Sequence, residues 1–431
     1  EWINGPITAT VIKDEAIDME FGTGVMTITP WHDAVDFEIA ERHNLEKEQI
    51  IDFYGKLLPI AGEFEGTKIL EARPRIIEKL QSKGLVEKIE ENYKHVTKTC
   101  YKCGTMIEPQ IKEQWFLKMK PLAEPAIKAI ERGEIKFIPE HYKKIALHWL
   151  NNIIDWNISR QIVWGIPIPG DTEGQVFDTW FSSGQWPYAV LGGTKSKDFK
   201  TFYPTDVMET GGDLIFFWVS RMIMFSLYNT KKVPFKNVYM HGLVLDAKGQ
   251  KMSKSKGNVI NPLDLIEKFG TDALRMGLVV GNTPGTSLPL DENKIRGYRN
   301  FANKIWNAAR FVMSRQSGIP SSGTKKQVLS AGQKRQLAQF DKLAKDMTKQ
   351  MDSYRFYDAA EKIYHYFWHT FCDKIIEETK KDMSASGQYV LLEILAGSLK
   401  LLHPFMPFIT EEIYQQLSIK GKKECIMIEE W

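Results

Sequence analysis

The stretch His241–Asn258, HGLVLDAKGQKMSKSKGN, decides how the rest of the chain is read. The apolar run Val238 to Leu245 has the length of a strand, and Ala247-Lys248-Gly249 ends it as a turn. Lys251, Lys254 and Lys256 then crowd together, separated by Ser253, Ser255 and Gly257. Packed ammonium groups repel one another, so such a loop needs an anionic guest to close. Mobile point charges on small-residue backbone suit the phosphates of ATP, following each oxygen as bonds change. The ordinary alternative is a solvated basic loop, which is what most lysine clusters are.

The order Lys251-Met252-Ser253-Lys254-Ser255 separates these readings, because it resembles the KMSKS signature of class I aminoacyl-tRNA synthetases, with the Gly257-Asn258 usual in that family. The resemblance implies that Lys254, aided by Lys251, is catalytic, stabilising charge on the ATP phosphates.

Composition sets the bounds. With 431 residues, 43% hydrophobic and 26% charged, the chain is an ordinary globular protein large enough for several domains. Lys+Arg 57 against Asp+Glu 54 leaves +3, so bulk charge announces no nucleic acid and any basic face must be local. The 4 cysteines, Cys100, Cys103, Cys372 and Cys425, form no disulfide framework and fit a reducing, cytoplasmic setting. The most apolar run, Val390 to Ile409, is broken by Glu393, Lys400, His403, Pro404 and Pro407, so no membrane span is expected. The chain opens on Glu1 within a strand-like pattern, as a fragment of a longer protein would.

From the N-terminus, Ile7 to Ile12, Ala16 to Phe21 and Val25 to Thr29 read as short strands, and Pro30 ends the last. Asp33 to His43 has helical spacing, with Asp33 at the N-cap and Asp36 completing a capping-box-like pair. Both carboxylates could therefore serve only the helix start. The longer string GTGVMTITPWHDAVDFEIAERHNLE, Gly22 to Glu46, resembles the editing domain of valyl-tRNA synthetases, departing from its pattern at Thr27 and Trp31. The resemblance implies that Asp36 holds the α-ammonium of a misattached amino acid, while Thr29, His32 and Asp33 line the same pocket. A fixed carboxylate beside the ester and nearby polar groups would position a hydrolytic water.

Thr67 to Lys83 is amphipathic, with Ile69, Leu70, Ile76, Ile77 and Leu80 near one face. Cys100-Tyr-Lys-Cys103 is half a zinc knuckle. Four ligands are needed, no second pair follows, and neither His95 nor His141 is well spaced. Zinc is therefore possible but not expected, and the pair reads as a relict.

Trp149 and Trp156 read as core, whereas Trp164 precedes Gly165 and Pro167 in a turn open to a ligand. Ile158-Ser-Arg-Gln161 with Trp164-Gly165, and Asp178-Thr-Trp-Phe-Ser-Ser183, resemble the ISRQxWWG and DTWFSS stretches of valyl- and isoleucyl-tRNA synthetases. The resemblance implies a side-chain pocket shaped by Trp164, Val176 and Trp180. An apolar pocket of that kind rejects isosteric threonine only about a hundredfold, a known magnitude for this class, which is why an editing site is useful on the same chain.

Glu209-Thr-Gly-Gly-Asp213 follows a short strand, Thr205 to Met208, and opens an apolar helix, Leu214 to Leu227. Glycines at such a junction let a ligand approach backbone amides, although Asp213 could be merely an N-cap. The string resembles the TGxDIxFFWVARMIM stretch of valyl-tRNA synthetases and implies ribose or aminoacyl contacts from Glu209, Gly211 and Asp213. The ATP site, with His241, Gly242 and Lys254, would lie at the carboxyl ends of these strands.

From about residue 291 the pattern is helical. Lys294 to Ser314 carries a basic side that includes Arg299, Lys304 and Arg310, and further helices at Lys334 to Met351, Tyr354 to Lys380 and Gln388 to Leu402 complete a bundle. NFANKIWNAARFVM and LLHPFMPFITEEIYQQL resemble the anticodon-binding bundle of the same enzymes, making those cations candidates for tRNA.

The expected fold is α/β plus all-α. Residues 1–110 form part of a β-rich editing domain with the CxxC knuckle, 111–288 half of a doubly wound Rossmann-type catalytic domain, and 289–431 a helical anticodon-binding bundle. The implied activity is ATP-dependent attachment of valine to its tRNA through valyl-adenylate, with hydrolytic editing of mischarged threonyl-tRNA. The implied partners are valine, ATP with Mg2+ and the valine-accepting tRNA, with no membrane, and the protein is expected to act as a monomer. No HIGH-like histidine motif is found. The alternatives are therefore an isoleucyl-tRNA synthetase or a non-catalytic tRNA-binding segment.

Overall fold

A computed structural model describes residues 10–20, 23–90, 92, 94, 96–100, 103–253, 257–315, 328–381 and 384–430. The chain divides into two compact units, Glu1–Gln114 and Trp115–Trp431.

In the first unit, helix α1 (Ala34–His43) starts where Asp33 accepts hydrogen bonds from the Val35 and Asp36 amides. It ends at Asn44 in the left-handed conformation, a common helix stop. Arg42 and His43, in its last turn, both reach the carboxylate of Asp14, and the Arg42 guanidinium above all holds that carboxyl well below the usual range. Helix α2 (Ile69–Ser82) sits beside a small core of Ile51, Leu57, Ala61, Phe64 and Ala72.

The strands expected before α1 are not seen. Among the described residues, 10–20 and 23–29 form no strand ladder, and the unit's β pairing is confined to isolated bridges such as Ile51–Leu57 and Thr99–Met106. Alternation marks a segment that suits a sheet, but a ladder also needs a neighbouring strand to accept its amides. Residues 7–9 and 21 of those expected strands lie outside the described residues.

The second unit begins with α3 (Lys120–Glu131), β1 (Lys136–Ile138) and α4 (His141–Asn151). Strand β2 (Thr205–Gly211) leads through a wide-turn segment, Ile215–Ser220, into α5 (Arg221–Thr230) and then β3 (Phe235–His241). The sheet is parallel throughout, ordered β1-β3-β2, with Phe137 beside Val238 and Gly211 beside His241. Phe235, Val238 and Met240 of β3 are buried with Ala126 and Ile130 of α3 and Met222 and Ile223 of α5. Covering helices explain why the central strand is apolar on both faces. β2 runs farther than its apolar pattern implied, through Gly211, because backbone pairing to β3 continues there.

Helices α6 (Pro262–Phe269) and α7 (Thr271–Val279) meet at Gly270, whose φ of 90° and ψ of 150° suit glycine alone. Then come α8 (Glu292–Met313), α9 (Ala331–Asp352) and α10 (Phe356–His365), the last continuing as wide turns through Tyr366–Ile376. Finally α11 (Ala385–Leu402) and α12 (Pro407–Gln416) close the bundle. Phe301, Ile305, Ala309 and Val312 of α8 share one core with Phe367, Phe371, Ile394, Leu395 and Ile413, and Met276 and Val280 join it from the α7 side. No described helix is long and apolar enough to cross a membrane.

Candidate functional site

Parallel pairing carries Gly211 and His241 to one sheet edge. There, His241 Nδ1 donates to the Gly242 carbonyl at 2.8 Å, and its Nε2 lies 3.3 Å from Glu209 Oε1. A methyl group on Gly211 would sit 2.7 Å from Asp213 Oδ1 and 3.6 Å from His241 Cε1. The glycine thus keeps open a cradle walled by a carboxylate and an imidazole. Asp213 does not cap the following helix: neither the turn Gly212–Leu214 nor the segment Ile215–Ser220 has a side-chain cap. Its carboxylate is exposed instead. Glu209, Gly211, Asp213, His241 and Gly242 therefore lie together at the carboxyl end of the sheet.

The lysine loop leaves this edge. Val244–Leu245 pairs in parallel with Leu288–Pro289, and Leu245 bridges Lys251. Lys251 is exposed; Lys254 lies outside the described residues, as do Ser255 and Lys256. One side chain that the motif reading passed over is central here. Asp246 Oδ1 accepts the Lys248 and Gln250 amides at 2.9 and 2.8 Å, while its Oδ2 accepts Asn258 Nδ2 at 2.9 Å. Those bonds, the Gln250 amide first, hold the Asp246 carboxyl below its ordinary range. The local signal was available, since an Asp followed by a Lys-Gly turn is an Asx-turn pattern.

The expected side-chain pocket is only partly gathered. Val176 is buried against the turn after Trp164: a methyl on Gly165 would lie 2.6 Å from Val176 Cγ2, and Phe177 N donates to the Ile166 carbonyl at 2.8 Å. Trp180 stacks on Phe217 with ring centroids 5.9 Å apart. Trp164 itself is 86% exposed, and Val163 beside it is fully exposed. Trp149, expected in the core, is 45% exposed and lies over Phe216. Beneath Trp180, Arg221 is buried, stacks 3.7 Å from the Trp156 ring centre and donates to the Phe217 carbonyl at 2.9 Å. Burial pushes its guanidinium down to about 10, with Asp178 pulling the other way. Sequence gave no cue to this buried cation, because its partners are aromatic faces from distant segments.

Of the four candidate editing residues, the structure joins the side chains of Asp36 and Thr29, while Asp33 and His32 bond to other groups. Asp36 is buried, and its Oδ2 accepts the Thr29 amide at 2.6 Å and the Thr29 hydroxyl at 3.3 Å. It does not return to the N-cap amide, so the capping box is only half formed. Asp33 serves as the helix cap. His32 Nε2 accepts the Ile50 and Ile51 amides at 3.1 and 3.2 Å, which leaves the proton on Nδ1, facing the Pro109 carbonyl. Replacing Asp36 with Ala strips a part-buried amide of its acceptor. We expect that to cost the first unit about 1–2 kcal/mol, read as faster hydrogen exchange at Thr29. Unchanged Thr29 protection would contradict the geometry.

Cys100 and Cys103 sit on a hairpin closed by Cys100 N to the Thr105 carbonyl at 2.8 Å. The Cys103 thiol lies 3.2 Å from the Thr105 hydroxyl, whose hydrogen bond leads the causes that lower its pKa. Among the described residues, no group of three His, Cys, Asp or Glu side chains gathers at one point, and His95 is not described. On the basic helix face, Arg299 and Arg310 are exposed. Lys304 is 2.7 Å from Asp373 and lies over the Trp368 ring at 4.5 Å. A long cation on a helix flank is recruited by whatever carboxylate the bundle presents, which no single-helix reading shows.

A parallel sheet with Glu209, Gly211, Asp213 and His241 gathered at its carboxyl edge, followed by a lysine loop and a helical bundle, is an α/β unit joined to an all-α bundle. The family of tRNA synthetases class I (I, L, M and V) matches residues 37–170 and 171–290, and the anticodon-binding domain of tRNA ligase matches 333–431. The chain belongs to the class I tRNA synthetases (I, L, M and V). Within that group it is similar to the Valine--tRNA ligase of Carboxydothermus hydrogenoformans, 44% identical over 463 positions spanning 100% of this chain and 52% of that protein. The Valine--tRNA ligase of Thermotoga maritima is 41% identical over 453 positions, spanning 98% and 52%. The chain thus spans about half the length of the curated relatives it matches. In fold it is similar to Mycobacterium tuberculosis methionyl-tRNA synthetase in complex with methionyl-adenylate, with TM-score 0.61 and 20% identity over 74% of this chain and 65% of that one.

Proposed function

We propose that this chain carries the lysine-loop part of a valine–tRNA ligase, which joins valine to its tRNA at the expense of ATP. The observation that carries the reading is the cradle at Glu209, Gly211, Asp213 and His241 together with the lysine loop that leaves the same sheet edge. The relatives named for valine support valine as the amino acid.

In this reading the valine carboxylate attacks the α-phosphate of ATP. The bond from that phosphorus to the bridging oxygen breaks, giving valyl-adenylate and pyrophosphate. The terminal adenosine of the tRNA then takes the valyl group and releases AMP. Asp213 and Glu209 would hold ribose hydroxyls or the amino group, since exposed carboxylates accept from both. Lys251 and Lys254 would balance charge gathering on the leaving pyrophosphate. Magnesium would arrive with the triphosphate; with no cluster of ligating side chains among the described residues, we assign it no ligand from this chain. Val176 and Trp180 would form one side of the valine pocket. Arg299 and Arg310 would meet tRNA phosphates, and Lys304 only by leaving Asp373.

We further propose editing of threonyl-tRNA at Asp36, where Thr29 would yield its hydrogen bonds to the incoming ammonium. Zinc at Cys100 and Cys103 is not part of the reading.

Amino-acid-dependent ATP–pyrophosphate exchange tests the proposal. The chain is assayed alone and mixed with a separately expressed upstream half of a relative, using valine, isoleucine, leucine and threonine. We expect valine-dependent exchange, lost on Lys254→Ala. Exchange driven best by isoleucine would reassign the substrate. None at all in a mixture that demonstrably associates would leave a tRNA-binding segment.

A further inference from the structure

The lysine loop has a built neck. Before it, Asp246 closes its own turn: its amide donates to the Gln250 carbonyl at 2.9 Å, and its carbonyl accepts the Gly249 amide at 2.9 Å. Its carboxylate takes the Lys248 and Gln250 amides on one oxygen. The second oxygen reaches across to the far limb, accepting Asn258 Nδ2 at 2.9 Å. Asn258 then ties back to the near limb. Its Oδ1 accepts the Ser253 amide at 2.9 Å, and the same Nδ2 lies 3.3 Å from the Lys251 carbonyl. The Ile260 amide, further along the outgoing limb, donates to Met252 Sδ at 3.4 Å. Both Asp246 and Asn258 are half-buried, while Lys251 beside them is exposed.

We infer that Asp246 and Asn258 are a positioning pair: their side-chain bond ties the incoming limb of the lysine loop, at Lys251 and Ser253, to its outgoing limb and so fixes where Lys251 stands when phosphates arrive. The role in catalysis rests on the nucleotide reading above; the clamp itself does not. The chemistry demands one acceptor and one donor at this place. Because one oxygen of residue 246 serves the Lys248 and Gln250 amides and the Asn258 oxygen serves the Ser253 amide, two amides here would set donor against donor, and two carboxylates would set charge against charge at hydrogen-bond distance. An unclamped loop would still reach phosphate, but from many conformations, each paying ordering entropy in the transition state. Neither side chain needs to touch the nucleotide. The valine side of the site, at Val176 and Trp180, lies outside the clamp's bonding, so the pair should act on ATP and not on the amino acid.

The partner-swap cycle tests this: Asp246→Asn, Asn258→Asp and the double swap that exchanges carboxylate and amide. In the chain as it stands, amide hydrogen exchange at Gln250 and Ser253 should speed by about tenfold or more in each single variant, the scale of a hydrogen bond to a charged group. The double swap should recover most of it, failing only in the contact to the Lys251 carbonyl. In whichever preparation supports valine-dependent exchange, each single variant should raise the KM for ATP or lower kcat by about tenfold to hundredfold while the KM for valine stays within about twofold, and the double swap should recover. Additive effects in the cycle, unchanged protection at Gln250 and Ser253, or an equal rise in the KM for valine would overturn the clamp. Absence of valine-dependent exchange in the wild type would instead overturn the functional reading, while the amide measurements still decide the clamp.

Discussion

Gly242→Ala should unfold the sheet edge more severely than a methyl added at any other described glycine. An added Cβ at Gly242 would overlap the Thr286 carbonyl and stand 2.5 Å from Ser287 N. These are backbone atoms, and no rotamer change can move them. The two segments are also pinned together, with Gly285 N donating to the Met240 carbonyl at 2.8 Å and Leu288 N to the Leu243 carbonyl at 2.9 Å. Relief requires pulling 285–288 off the strand end, and overpacking of that kind costs about 3 kcal/mol or more. Urea unfolding followed by far-ultraviolet circular dichroism should show the transition of residues 115–431 moved to lower denaturant. Gly297→Ala is the matched control. It lies on the exposed face of α8 with nothing within 4 Å of the new methyl, and should stabilise by about 0.5–1 kcal/mol through helix propensity. Equal midpoints for the two variants would contradict the close approach at the strand end.

Asp272→Ala should loosen the joint between α7 and the last bundle helix. Helix α12 begins at Pro407 and has no side-chain cap of its own. Proline at the first position removes one open N–H and leaves those of Phe408 and Ile409. Asp272 supplies the acceptors from another helix, with Oδ2 2.7 Å from Ile409 N and Oδ1 3.3 Å from Phe408 N, at 7% exposure. Arg275, one turn on, donates to the carbonyls of Phe405 and Pro404. Deleting the carboxylate orphans two shielded donors and a cap, for about 3 kcal/mol, whereas Asp272→Asn keeps one acceptor and loses less.

The pH dependence has a definite sign. Burial is the largest influence on Asp272 and raises its pKa above the ordinary 3.8, against the opposing pull of the Ile409 and Phe408 amides, Arg275 and His403. The folded state therefore binds this proton more tightly than the unfolded chain. Its contribution to stability is fully present below the ordinary carboxylate value and fades as pH rises through the raised one. The stability of wild type relative to Asp272→Asn should accordingly move in favour of the wild type as pH falls from neutral toward 4. A difference that moved the other way would show the carboxylate to be held by its partners more than it is penalised by burial. Glu429 titrates in the opposite sense, since Lys400 above all holds it down at about 2.

Local chemistry was legible in the sequence. Helix starts such as Asp33 before α1 are set by side chains within a few residues, and the long helices after residue 291 follow from apolar spacing alone. The lysine loop and the Gly211-Gly212-Asp213 junction marked a strand edge with glycines beside clustered ammonium groups, because both are strings of neighbours along the chain. Long-range pairing was not legible. Val25 to Thr29 alternates as a strand should, yet finds no partner strand among the described residues; alternation states a preference that only a neighbouring strand can satisfy. The sequence showed the charge of Lys304 but not that the fold sets Asp373 and Trp368 beside it.

Asp36, Asp246 and Asp272 share a residue type and differ in role: one holds Thr29, one clamps a loop across twelve positions to Asn258, and one caps a helix from another element. The sequence by itself determined which segments become helices, where the charged loop falls and which family the chain resembles, because periodicity, turns and motif strings are properties of neighbours along the chain. The tertiary structure alone decided which polar atom each carboxylate serves and which glycine faces another backbone, because a hydrogen-bond partner is chosen by proximity in space, and desolvation then makes that choice costly to undo.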